Sequence, residues 1–259
     1  LEWVRAQNAA SKTALESLPG FEQLRDDLRA ILDSDDKIPY VREMGGQLYN
    51  FWQDASNPRG LWRRTTLDSY RSASPQWEVI LDLDALNKTE GENWVWAGAD
   101  CLRPDYTRCL VSLSRGGADA NVTREFDIAS KSFVEGGFSR PEAKGGMGWI
   151  DQDTVFVYTD FGPGSMTSSG YPRIAKRWKR GTELTDAETV YEGQADDMYI
   201  AAMHDDTPGF ERSFVSRTLA FYNDELHLLG DDGQLRKIDA PNSANKSVHR
   251  DWLLLELRE

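Results

Sequence analysis

The sequence predicts a mainly β protein, about four to five blades of antiparallel strands behind a short helical segment, which is the plan of a β-propeller. Three observations carry this. Apolar residues recur every three or four positions through the first stretch and every second position from Ile38 onward. Past that switch, a unit of roughly 45 to 70 residues repeats with weak identity, each a hairpin, a third strand and usually a shorter apolar closing run. Gly, Asn and Asp clusters punctuate the runs where tight turns need them. A β-sandwich would space its strands evenly, without this grouping.

Residues 1–36 read as the helical segment. Phe21, Leu24, Leu28, Ile31 and Leu32 put one apolar stripe along a helix that follows the Pro19-Gly20 break. The preceding segment is in helical register from Leu1, with no Ser, Thr, Asp or Asn ahead of it to cap its free amides, so it reads as cut rather than begun.

Residues 38–259 read as the propeller portion. Gly45-Gly46 joins Tyr40–Met44 to Leu48–Trp52, because a two-residue hairpin loop demands a positive φ that glycine adopts at little cost. Similar hairpins are predicted at Trp94–Leu102 with Cys109–Leu113, Gly148–Ile150 with Val155–Tyr158, and Leu219–Tyr222 with Leu226–Leu229. Third strands follow at Leu61–Thr65, Val122–Asp127, Arg173–Trp178 and Gln234–Asp239, and closing runs at Glu78–Leu83, Ser132–Val134 and Thr189–Tyr191. A further unit starts at Trp252–Leu257, and Leu253 to Glu259 is expected to end as an unpartnered strand. Trp52, Trp62, Trp149 and Trp178 sit inside these strands and are expected in the core.

Composition removes several classes. A formal charge of -13 argues against a nucleic-acid partner, which needs clustered Lys and Arg. No run approaches the roughly 20 apolar residues that span a bilayer, and no secretion signal opens the chain, which leaves cytoplasm and periplasm both open. Cys101 and Cys109, the 2 cysteines, each lie four residues from Asp105 and so face each other across a hairpin. A cross-strand disulfide fits that geometry, but free, buried thiols are the expectation, since cysteine is commonly a small core residue. They make no four-ligand zinc set, and no metal or cofactor is expected.

Other chemistry-bearing residues resolve into turns. His204-Asp205-Asp206 runs into T-P-G-F and reads as a solvated loop, and Asp231-Asp232-Gly233 as a hairpin turn with too few oxygen ligands for calcium. Asp160-Phe161-Gly162 lacks every other kinase element. The Ser-rich run around Ser165 contains no G-x-S-x-G, and neither does the rest of the chain, so no nucleophile elbow is present.

One stretch carries more. Thr159–Thr182, TDFGPGSMTSSGYPRIAKRWKRGT, is a strand, a long Gly/Ser/Thr excursion and a returning strand of alternating bulky and basic residues. It resembles the propeller of bacterial members of the prolyl oligopeptidase family. LEWVRAQN at Leu1–Asn8, HDDTPGFER at His204–Arg212 and HRDWLLLELR at His249–Arg258 resemble other parts of the same family. The resemblance implies an incomplete seven-bladed-type propeller whose partner, an α/β-hydrolase domain carrying the Ser, Asp and His, lies outside this chain. It implies a non-catalytic gate that admits short, proline-containing peptides to the active site, and self-association through blade faces left uncovered. One aromatic between the second and third blades would line the substrate pocket, and Phe138 in GGFSRPEAKGGMGW is the corresponding position. The family's pocket arginine does not carry over to Arg212, where the loop differs in length and composition. The alternative is a stand-alone propeller that binds a peptide or partner protein.

Overall fold

The structure, a computed structural model, describes residues 1–258. It divides into two compact units, Leu1–Ala85 and Leu86–Glu259.

The first unit opens with helices α1 (Glu2–Glu16) and α2 (Phe21–Asp33), neither of which buries a residue. The predicted stripe on α2 exists, but Leu24, Leu28, Ile31 and Leu32 are 52–72% exposed. The sheet that follows pairs β1 (Arg42–Met44), β2 (Gln47–Trp52), β3 (Leu61–Thr65) and β4 (Glu78–Asp82) in sequence order, with helix α3 (Leu67–Tyr70) ahead of β4. Gly45 and Gly46 form the tight turn at φ 58° and 74°, with Met44 opposite Gln47. The Arg63 guanidinium lies between the Trp52 and Trp77 rings, at 4.3 and 4.2 Å.

Helix α4 (Leu83–Glu90) leads to β5 (Trp94–Cys101), β6 (Arg108–Arg115), β7 (Asn121–Asp127), β8 (Ser132–Phe133) and β9 (Ser139–Ala143). Strands β5 to β8 pair in order, and β9 also pairs with β7, so the outer edge of this sheet is a strand interrupted by Val134–Phe138. The sequence reading missed β9 because Ser-Arg-Pro-Glu-Ala carries no apolar alternation, and its proline suits an edge. The next two sheets are meanders: β10 (Gly146–Asp151), β11 (Thr154–Tyr158), β12 (Ile174–Lys179), β13 (Glu188–Glu192), then β14 (Tyr199–Asp205), β15 (Arg212–Ala220), β16 (Asn223–Leu229), β17 (Leu235–Lys237). A hairpin of β18 (Asn245–His249) and β19 (Trp252–Glu256) follows.

Strand β11 shows why these sheets stack as blades. Val155 and Val157 point into one core with Leu110, Trp149 and Trp178, while Phe156 between them points into another with Ile200, Ala202 and Val215. Alternation of period two therefore feeds two buried faces, and each sheet must be covered on both sides by its neighbours. Trp52, Trp62, Trp149 and Trp178 are all buried, as expected of strand tryptophans.

Four expectations are corrected. Cys101 and Cys109 are joined by a disulfide and are not free thiols. The register explains it: Leu102 N–H bonds the Arg108 carbonyl, so the 101/109 pair next to it is the closely approaching, non-hydrogen-bonded kind, with Cα atoms 4.0 Å apart. Leu219–Tyr222 is not a strand but the end of β15 and its turn, where Ala220 faces Asn223 and Phe221 is 83% exposed. His204 and Asp205 belong to β14, opposite Ser213 and Arg212, rather than to a loop. The strand at Trp252 is not unpartnered, because Leu253 to Glu256 pair with Asn245 to Val248; Glu259 lies outside the described residues.

Candidate functional site

Antiparallel meanders bring the starts of β10 and β14 to the same end as the β6–β7 and β11–β12 loops. A cavity of about 330 Å³ opens there, lined by Asp119, Lys144, Gly145, Tyr171, Met198, Tyr199 and Thr218. Each residue arrives by a definite local device. Gly145, at φ +138°, lets the chain pass against β11, and a Cβ at that position would sit 2.0 Å from the Tyr158 carbonyl oxygen. Tyr171 is delivered by the long Gly/Ser-rich loop that the sequence singled out.

That loop is tied at several points. The Ser165 hydroxyl donates to the Gly162 carbonyl at 2.7 Å and accepts from the Phe161 N–H at 2.8 Å, so this serine is a buried loop fastener. Ser168 N–H bonds the Ala195 carbonyl at 2.7 Å, and Arg173 donates to the carbonyls of Gly164 and Gly193. Met166 and Pro172 form an isolated bridge. The irregular chain of Thr159–Arg173 thus holds one tyrosine in place.

The walls are aromatic. Tyr199 meets Tyr171 and Tyr158 edge to face, at centroid separations of 5.7 and 5.8 Å. Lys144 Nζ lies 4.2 Å from the Tyr171 centroid and 3.4 Å from Asp119 Oδ2, and the Tyr171 hydroxyl donates to the same carboxylate at 3.4 Å. Burial raises the Tyr158 and Tyr199 phenols well above their ordinary pKa, so both stay neutral hydrogen-bonding groups. Behind this wall, Arg140 is fully buried, and burial lowers its pKa. The cavity offers ring faces, a methionine, one cation and one anion, a set suited to a small amphipathic ligand.

Phe138 lies elsewhere. It is 3% exposed, edge to face with Trp149 and Trp178 at 5.8 and 5.1 Å, and the Arg180 guanidinium lies 4.6 Å from its ring centre. Its neighbours are core residues. The cavity residues were missed because no local pattern marks them: they are single positions spread over about a hundred residues. The one usable signal was the unusual length and composition of the Thr159–Arg173 excursion.

A Ser–His contact is also present, with His204 Nδ1 3.0 Å from Ser213 Oγ. The two are register partners on β14 and β15, which places them side by side as a cross-strand pair. Among the described residues, no group of three or more His, Cys, Asp or Glu could hold a metal ion, and no helix is long and apolar enough to cross a membrane.

Comparison with known proteins follows the same lines. Residues 1–209 match the prolyl oligopeptidase N-terminal beta-propeller domain. An uncharacterized peptidase of Sinorhizobium fredii is 42% identical over 231 residues, covering 87% of this chain and 32% of the relative. A second, from Rickettsia prowazekii, is 30% identical over 257 residues, covering 94% and 36%. The chain therefore spans about a third of the length of the curated relatives it matches. The solved structure of a post-proline cleaving enzyme from Rickettsia typhi superposes with a TM-score of 0.88 at 31% identity, over 97% of this chain and 38% of that one. Oligopeptidase B from Leishmania major, at 16% identity and a TM-score of 0.68, shares the fold.

Proposed function

The chain belongs to the prolyl oligopeptidase N-terminal beta-propeller family, and from that premise we propose that it forms the substrate-admitting wall of a serine peptidase that cleaves short, proline-containing peptides. The observation that carries this reading is the aromatic cavity at the loop end of three neighbouring sheets. A cavity of about 330 Å³ accepts one or two residues of an extended peptide and excludes a folded chain, which is what a size filter requires. Tyr171 and Tyr199 present ring faces and edges to an apolar side chain or a proline ring, while Met198 adjusts to its shape.

Bond cleavage in this reading belongs to a hydrolase domain of the kind the family carries, by acyl transfer to a serine activated by His and Asp. The propeller contributes binding energy remote from the scissile bond, which positions the peptide. The likeness to the post-proline cleaving enzyme supports a proline preference.

The test is to titrate the chain with acetyl-Ala-Ala-Pro-amide and follow the tyrosine ring signals by NMR. Shifts at Tyr171 and Tyr199, weakened in Tyr171→Ala, are expected, with only background hydrolysis of a chromogenic proline substrate. Tyrosine signals that do not move at saturating peptide would refute the reading.

A further inference from the structure

Arg140 is the least expected residue in the molecule. Its side chain is fully buried, yet every group that accepts from it is neutral: the carbonyls of Pro141 and Ala143, the hydroxyls of Thr123 and Thr159, and the Asn121 amide oxygen. Its Nε has no hydrogen-bond partner among the described residues. The buried carboxylates Asp197 and Glu125, by contrast, are each paired with a partly exposed guanidinium, that of Arg217 and that of Arg180. A buried charge without a counter-ion is costly, and its field is weakly screened.

That field acts next to the cavity. Arg140 bonds the Ala143 carbonyl, one residue before Lys144, and interacts electrostatically with Tyr158 and with Tyr199 of the cavity wall. Lys144 stands at the mouth as a second positive charge. Among the described residues, the only carboxylate lining the cavity is Asp119, which is 68% exposed at its side chain and held by two contacts of 3.4 Å, so an incoming anion can take its place on Lys144. In a chain of formal charge -13, this is a locally positive, aromatic-walled pocket.

We propose that the cavity selects a carboxylate on the bound peptide, with Lys144 contacting it directly and Arg140 acting as a positioning residue through the field behind the wall. This rests on the cavity being the substrate-facing site proposed above. The carboxylate can come from an acidic side chain or from a free C-terminus.

Four probes separate these cases: acetyl-Glu-Ala-Pro-amide, acetyl-Gln-Ala-Pro-amide, acetyl-Lys-Ala-Pro-amide and acetyl-Gln-Ala-Pro with a free carboxyl, each titrated into the full chain by NMR. The Glu amide or the Gln free acid is expected to bind roughly tenfold tighter than the Gln amide, with the Lys peptide weakest. Tighter binding of the Glu amide assigns the side chain as the source; tighter binding of the free acid assigns the terminus. Lys144→Met should abolish the preference, and Asp119→Asn should raise it by removing the resident competitor. Arg140→Met should lower it; if that variant does not fold, the two surface variants decide. Equal binding of all four probes overturns the carboxylate preference but leaves the cavity as a peptide site. Absence of any shift at the cavity tyrosines overturns both.

Discussion

Removing Arg180 tests how neighbouring sheets of the second unit are locked together. Glu125 on β7 is 2% exposed, and its carboxylate accepts from Arg180 at 2.8 and 3.2 Å and from the Phe138 N–H at 2.9 Å. Arg180 follows β12 of the next sheet, so the pair crosses a blade boundary. Charge centres about 4 Å apart attract by roughly 4 kcal/mol at an effective dielectric near 20, offset in the intact pair by the desolvation of both groups. Arg180→Met removes the attraction and leaves Glu125 desolvated, with its Phe138 hydrogen bond and a longer contact to Arg108 at 3.8 Å as partial compensation. The expected loss is about 2–3 kcal/mol, or a fall of about 5–10 °C in melting temperature for a unit of this size. Glu125→Gln with Arg180→Met should lose less than the sum of the singles, with a coupling of about 1–2 kcal/mol. Urea and thermal unfolding of the four proteins measure it. A loss below about 0.5 kcal/mol in Arg180→Met, or strict additivity, would show that the pair behaves like an exposed surface ion pair and that apolar packing alone joins the sheets.

Three further outcomes are expected. Gly145→Ala should destabilise by about 2–4 kcal/mol and disturb the cavity tyrosines, since the new Cβ would meet the Tyr158 carbonyl oxygen at 2.0 Å; a crystal structure with an unmoved backbone would contradict this. Thiol titration in denaturant without reductant should find none, and Cys101→Ser with Cys109→Ser should lose about 2–3 kcal/mol for a loop closed over 8 residues. Burial holds the His227 imidazole below its ordinary pKa, and its Nδ1 has no hydrogen-bond partner among the described residues, so the unfolded chain binds this proton more tightly. Stability from this group is complete above pH about 6.5 and is lost as pH falls through the lower folded value; His227→Gln should flatten that part of the stability–pH curve.

Much of the fold was legible because it is encoded locally. Leu61–Thr65 was placed at its observed limits, and the Gly45-Gly46 turn at its observed residues, because alternation and positive φ are properties of a few adjacent residues. Strand β14 was not placed, since its buried positions Ile200 and Ala202 alternate with another alanine and give a weak contrast. Strand β9 carries no contrast at all.

The sequence by itself determined the succession of hairpins, the core tryptophans, the absence of a nucleophile elbow and the family likeness, all of which depend on neighbours in the chain. Only the tertiary structure decided the Cys101–Cys109 bond, the burial of Phe138 between Trp149 and Trp178, the lone charge of Arg140 and the cavity. The physical reason is distance along the chain. Asp119, Lys144, Tyr171 and Tyr199 lie in three different sheets or their loops, and they meet because each blade needs both faces covered, which brings the ends of successive meanders together.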